Sequence, residues 1–169
     1  MPDQPIHSDD HARGTRFTII YDDLATGRQA KRFSDILAKS CGEAEVDLAL
    51  CRSELLEAER IAAETMEMAE ASDFVILALR GDAPLPFATK QWIEAWLSRT
   101  NGRCCAFIAL FDPSRNTARL ANSTRTYLRT VADAAGIDFF AHSPLAAPAE
   151  PKGNALMKTA LTAALLAAA

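Results

Sequence analysis

Asp73-Phe74-Val75-Ile76-Leu77-Ala78-Leu79 carries an unbroken apolar run from Phe74 to Leu79, with no polar alternation. A strand with one wet face alternates apolar and polar residues. A strand covered on both faces has no need to, so this run predicts a central strand of a parallel sheet. A loop of turn formers follows, Arg80-Gly81-Asp82-Ala83-Pro84-Leu85-Pro86. After it, positions 87–98 place Trp92, Ile93, Trp96 and Leu97 on one helical face. Strand, loop and helix in that order make one β-α unit.

The same unit recurs on both sides. Upstream, Phe17-Thr18-Ile19-Ile20-Tyr21 reads as a strand. It precedes a helix over 26–40 with Ala30, Phe33, Leu37 and Cys41 on one face and Gly42 as its stop. Glu45-Val46-Asp47-Leu48-Ala49-Leu50 alternates like a half-exposed edge strand. A long Ala/Glu-rich helix is expected over 53–71, with Ser53 as N-cap and Glu57 one residue late for a capping box. Downstream, 104–111 is a second central strand, and Asp112-Pro113-Ser114 breaks the chain. The next helix carries Leu120, Tyr127, Leu128, Val131 and Ala135, and Gly136 ends it. Ile137-Asp138-Phe139-Phe140-Ala141 is the fifth strand. A Pro/Ala-rich loop over 143–153 leads to an Ala/Leu helix over 154–169, apolar nearly all round, which docks on the sheet or forms a dimer contact.

Strict alternation predicts an α/β protein of three layers, α/β/α, around a five-stranded parallel sheet. The expected strand order is the flavodoxin-like 2-1-3-4-5, with the ligand crevice at the carboxyl ends of strands one and three. The expected organisation is a polar N-terminal tail over 1–16 and a single domain over 17–169.

Composition narrows the function. A chain of 169 residues builds one good core and would divide into two poor ones. At 49% hydrophobic it is too apolar for disorder, and its apolar runs are too short to span a membrane. A net charge of −4 with the signs interspersed lacks the basic surface of a nucleic-acid binder. The first sixteen residues hold no apolar export segment, so the cytoplasm is the expected compartment. Cys41, Cys51, Cys104 and Cys105 form no CxxC or Cys/His metal spacing and read as reduced thiols. His7, His11 and His142 have no metal-ligand spacing either. The GxSxG, Walker A, GxGxxG and HExxH patterns are all absent. Ser114 and Ser143 have no base in view beyond His142.

Function should therefore gather on the loops at the crevice. These are Tyr21-Asp22-Asp23-Leu24-Ala25-Thr26-Gly27-Arg28, the 80–86 loop, Asp112-Pro113-Ser114-Arg115 and His142-Ser143-Pro144. The candidate ligand-binding residues are Asp22, Asp23, Thr26, Arg28, Arg80, Asp82, Pro84, Asp112 and Ser143. The adjacent Asp22 and Asp23 admit three readings. Paired carboxylates suit a hard cation such as Mg²⁺. One acid can instead sit at the helix start, where the macrodipole favours it. Either can pair with Arg80 across the switch point.

The stretch Thr18-Ile19-Ile20-Tyr21-Asp22-Asp23, followed by an Arg/Lys-bearing helix, resembles the start of a response-regulator receiver domain. In that family an acidic pair here helps to hold Mg²⁺. The position matching the family's phospho-accepting aspartate is Ala78, and Ser143 stands where the family has a lysine before a proline, here Pro144. The resemblance therefore implies a receiver that does not receive. A second resemblance is to flavodoxins and to FMN or quinone reductases of the same fold. Ala25-Thr26-Gly27 is similar to their phosphate loop, and Pro84-Leu85-Pro86 to a turn lying beside the flavin ring. Asp22 and Asp23 oppose that likeness, because carboxylates repel a phosphate dianion, which Thr26 and Arg28 would have to offset.

The resulting expectation is a non-catalytic, receiver-like or flavodoxin-like binding or regulatory module. It is expected not to be an enzyme, to carry no cofactor, and to act on an unidentified protein or small-molecule partner, with a homodimer open to it. The alternatives are an FMN- or quinone-dependent oxidoreductase of flavodoxin-like type and a Mg²⁺-binding phospho-receiver.

Overall fold

The computed structural model describes residues 14–42, 45–100, 106–115 and 117–142. Cys104, Cys105, Ser143 and the 1–13 and 154–169 segments lie outside the described residues. The strands are β1 (Thr15–Tyr21), β2 (Val46–Arg52), β3 (Phe74–Leu79), β4 (Ala106–Phe111) and β5 (Phe139–His142). The helices are α1 (Leu24–Ser40), α2 (Glu59–Glu70), α3 (Phe87–Arg99) and α4 (Ala118–Ala134), with a short 3₁₀ turn at Ser53–Glu57.

The strands pair in parallel in the order β2-β1-β3-β4-β5, as expected. Every residue of β3 and β4 is buried, the outcome of their unbroken apolar runs. At the edge, β2 is only half covered: Val46 and Leu48 are partly buried, but Leu50, expected to share their face, is exposed and Cys51 is buried. Successive side chains point to opposite faces and create two cores. Phe17, Ile19, Ile76 and Ala78 pack beneath α1, where Phe17 stacks on Phe74 with centroids 5.1 Å apart. Ile20, Val75, Leu77 and Phe107 face α2, α3 and α4. There the fully buried Trp96 meets Phe107 edge-on at 5.3 Å. Trp92 stacks on Trp96, and its indole N–H donates to the Ala62 carbonyl, 3.0 Å away, tying α3 to α2.

α1 starts at Leu24 and β5 at Phe139, each two residues from where the pattern put them, and two larger differences matter more. β1 begins at Thr15, so Thr15 and Arg16 belong to the sheet and not to a tail. The Thr15 N–H donates to the Glu45 carbonyl and the Arg16 N–H to the Asp73 carboxylate, at 3.2 and 2.8 Å. The helix expected over 53–71 is two pieces. Ser53 does not cap it: its hydroxyl goes to Asp22, and the buried Leu56 holds the segment in a tight turn. Ala58 is extended, with φ −84° and ψ 113°, and α2 starts only after it.

Candidate functional site

Asp22 follows the last residue of β1. Its N–H donates to the Ala78 carbonyl at 3.0 Å, which carries the β1–β3 pairing one residue further. Its carboxylate then reaches both neighbouring strand ends. One oxygen accepts the Ser53 hydroxyl at 2.9 Å, and the other accepts the Arg80 N–H at 3.0 Å. Asp22 thus fastens the turns after β2 and β3 to the end of β1.

Asp23 works on the other side. It is the N-cap of α1, and its Oδ1 accepts the N–H groups of Ala25 and Thr26, both at 3.0 Å. Thr26 Oγ1 accepts the Asp23 N–H at 3.1 Å, closing a capping box. Arg115, from the turn after β4, donates to Asp23 Oδ2 at 3.1 Å. The Thr26 N–H does most to hold the Asp23 carboxyl below its ordinary pKa. Burial opposes this, and the Thr26 hydroxyl, the Ala25 N–H and Arg115 assist. Gly27 lets this first turn lie close to Tyr21, because a Cβ there would come within 3.0 Å of the ring.

A cleft of about 300 Å³ opens over the carboxyl ends of β1 and β3, the expected switch point. The buried Leu79, Leu85 and Phe111 lie under its floor, and the exposed Ala83, Pro84 and Pro86 form an apolar rim. On the polar side four carboxylates, those of Asp22, Asp23, Glu54 and Glu57, accompany the guanidinium groups of Arg52 and Arg80. Phe87, the first residue of α3, is 75% exposed directly after Pro86.

Of the candidates from the sequence, Asp22, Asp23, Arg80 and Pro84 line this cleft. Thr26 is buried in the capping box, and Arg28 is exposed on α1 without lining the cleft. The Arg80 side chain does not pair with Asp22 or Asp23. Its Nε lies 3.4 Å from Asp82, and Arg115 takes Asp23 instead. Asp112 is spent on its own turn, accepting the N–H and hydroxyl of Ser114 at 2.8 and 2.7 Å. Ser143 falls outside the described residues. His142, at the end of β5, is half-buried, and burial lowers its pKa and favours the neutral ring. The sequence reading missed Arg52, Ser53, Glu54 and Glu57. The order 2-1-3-4-5 already puts the end of β2 beside β1, so the turn after β2 had to flank the crevice.

Both carboxylate oxygens of Asp22 and of Asp23 already accept protein donors, so a Mg²⁺ ion there would have to displace them. Among the described residues no group of three or more His, Cys, Asp or Glu side chains could hold a metal. Ala78 is fully buried in the core beneath α1, away from any phosphoryl donor. Among the described residues no helix is long and apolar enough to cross a membrane.

No protein-family model matches the chain, and no curated protein matches it. Solved structures do. A short-chain flavodoxin associated with a bacterial microcompartment superposes with a TM-score of 0.50 at 12% identity, over 92% of this chain and 99% of that one. The fold is flavodoxin-like. An NAD(P)H:quinone oxidoreductase from Methanothermobacter marburgensis matches with a TM-score of 0.48 at 10% identity, over 92% of this chain and 98% of that one. General stress protein 14 of Treponema denticola, solved in complex with FMN, matches at 0.45 and 14% identity, over 92% of this chain and 97% of that one. Those two superpose too loosely to bear weight. The flavodoxin match corrects the expectation of a non-catalytic, receiver-like regulatory module: the architecture is matched by a protein named a flavodoxin, and the likeness shows the fold alone. The expectation of no cofactor gains no support from that match.

Proposed function

We propose that this protein is a flavin- or quinone-dependent oxidoreductase of flavodoxin-like type, binding a planar redox ring in the cleft above β1 and β3. The observation that carries the reading is the composition of that cleft. The exposed Ala83, Pro84 and Pro86, followed in the chain by the exposed Phe87, offer an apolar surface for a ring above a buried floor of Leu79, Leu85 and Phe111. Arg52 and Arg80 stand on the polar side, where N–H donors favour the more negative form of a ring carbonyl. The flavodoxin-like fold supports the reading because its crevice lies at this switch point.

FMN fits this cleft at one end only. A flavin ring supplies reversible two-electron chemistry, and the apolar surfaces suit it. The phosphate does not fit, because the α1 amides of Ala25 and Thr26 that would receive it already serve Asp23. The chain's own contribution is therefore to hold a ring against the Pro84–Pro86 rim and to keep water from one face of it. The proposed compartment is the cytoplasm.

Equilibrium binding tests this reading. Riboflavin fluorescence is expected to be quenched saturably by the protein, and Phe87→Ala is expected to weaken the binding. A quinone such as menadione is expected to compete. Absence of any saturable signal with flavin and quinone alike would sink the proposal.

A further inference from the structure

A helix N-terminus attracts phosphate because its first N–H groups lack partners and its dipole favours negative charge. In this cleft α1 presents that end, and the chain has already filled it. Asp23 Oδ1 sits 3.0 Å from both the Ala25 and the Thr26 nitrogen. Arg115, from the turn after β4, donates to Asp23 Oδ2 at 3.1 Å. The Thr26 hydroxyl donates to the Asp23 carbonyl at 2.9 Å and closes the box from below. Beside these, Asp22 accepts hydrogen bonds from the Ser53 hydroxyl and the Arg80 N–H but touches no cationic side chain, so it adds a negative charge without an ion-pair partner. Arg52 is drawn to Glu54 at 3.0 Å. The two first-turn amides, Arg115 and the two aspartates are thus set against a phosphate dianion at this end.

We infer that Asp23 occupies the phosphate seat of the cleft with the chain's own carboxylate, so that the site selects a planar ring ligand that carries no phosphate. The ligand class rests on the ring-binding reading above; the filled seat does not. A phosphorylated ligand must either displace Asp23 from α1, losing the cap, or place its dianion beside two carboxylates. A ligand of the riboflavin or free-quinone kind meets neither obstacle. Asp23 is a specificity-determining residue in this account and takes part in no chemistry.

The test has two arms on the full chain. In the first, backbone amide signals of Ala25 and Thr26 are followed by NMR as inorganic phosphate is added. The wild type is expected to show no saturable shift. Asp23→Gly, which frees both amides while keeping a residue tolerated at an N-cap, is expected to gain one. Saturable shifts in the wild type, or none in Asp23→Gly, would overturn the inference. In the second arm riboflavin and FMN are compared by fluorescence titration. FMN is expected to bind the wild type at least about tenfold more weakly than riboflavin, because a like charge is brought against Asp22 and Asp23. Asp23→Ser, which keeps a capping hydroxyl and removes the charge, is expected to narrow that ratio, and it serves if Asp23→Gly does not fold. Equal or tighter FMN binding by the wild type would overturn the selectivity. If neither flavin binds, the ring reading fails together with the ligand class, and the phosphate arm alone decides whether Asp23 fills the seat.

Discussion

The turn after β1 and the turn after β3 border one cleft and are put to different uses. After β1, each carboxylate oxygen of Asp22 and Asp23 accepts a hydrogen bond from the chain itself, and donors arrive from the turns after β2, β3 and β4. After β3, the 80–86 loop makes few such bonds. Pro84 and Pro86 are exposed, Leu85 is buried, and Phe87 projects into solvent. The first rim is a fastening and the second is an open surface. The lesson is that polar residues at a crevice are not by themselves a ligand site. What matters is whether their hydrogen-bonding capacity is already used.

That contrast can be broken by experiment, starting with the platform on which both rims stand. Trp96→Ala removes the largest fully buried side chain and is expected to cost about 3–5 kcal/mol in urea unfolding. It should loosen both rims together, and an effect confined to one rim would show that they do not share a core. Next comes Asp22→Ala, which leaves the Arg80 N–H and Ser53 hydroxyl without their acceptor, at a cost of about 1–3 kcal/mol. A neutral result would mean that water replaces Asp22 freely and that the first rim is not a fastening.

Asp23→Ala should cost about 1 kcal/mol through loss of the cap. Its pH dependence has a definite sign. Asp23 has a lowered pKa in the folded protein, so its stabilisation is complete above the unfolded carboxylate value of about 3.9 and is lost as pH falls through the folded value. Wild type and Asp23→Ala should therefore differ in Tm at neutral pH and converge in acid. A gap that widens below pH 4 would reverse the assignment. The smallest effect on stability belongs to the open rim. Phe87→Ala should stay within about 0.5 kcal/mol of the wild type, because the ring is mostly in water already, while weakening ring-ligand binding. A large loss of stability would show that Phe87 packs against something and is not free for a ligand.

Much of the fold was legible. The runs at 74–79 and 106–111 carry no polar residue, and a strand of that kind needs cover on both sides. The alternation at 46–50 marked the edge strand before any pairing was known. The Trp92 and Trp96 spacing marked the α3 core, and the structure stacks the two rings 6.1 Å apart. The broken helix after β2 was not legible. Its Ala/Glu composition is good helix throughout, yet Ser53 turns onto Asp22, 31 residues away, and Ala58 is extended.

The candidate site divides in the same way. The sequence alone determined that Asp22 and Asp23 end a strand and start a helix, and that the 80–86 loop lies across from them, because strand, helix and crossover follow from local pattern and chain connectivity. Only the tertiary structure decided what each carboxylate does. Asp23 capping is local, yet its partner Arg115 is 92 residues distant, and Asp22 meets Arg80 58 residues on. Which cation or N–H reaches which acid depends on sub-ångström placement of turns from four strands. Periodicity in the sequence carries no record of that placement, because it reports which face a residue is on and not what stands opposite it.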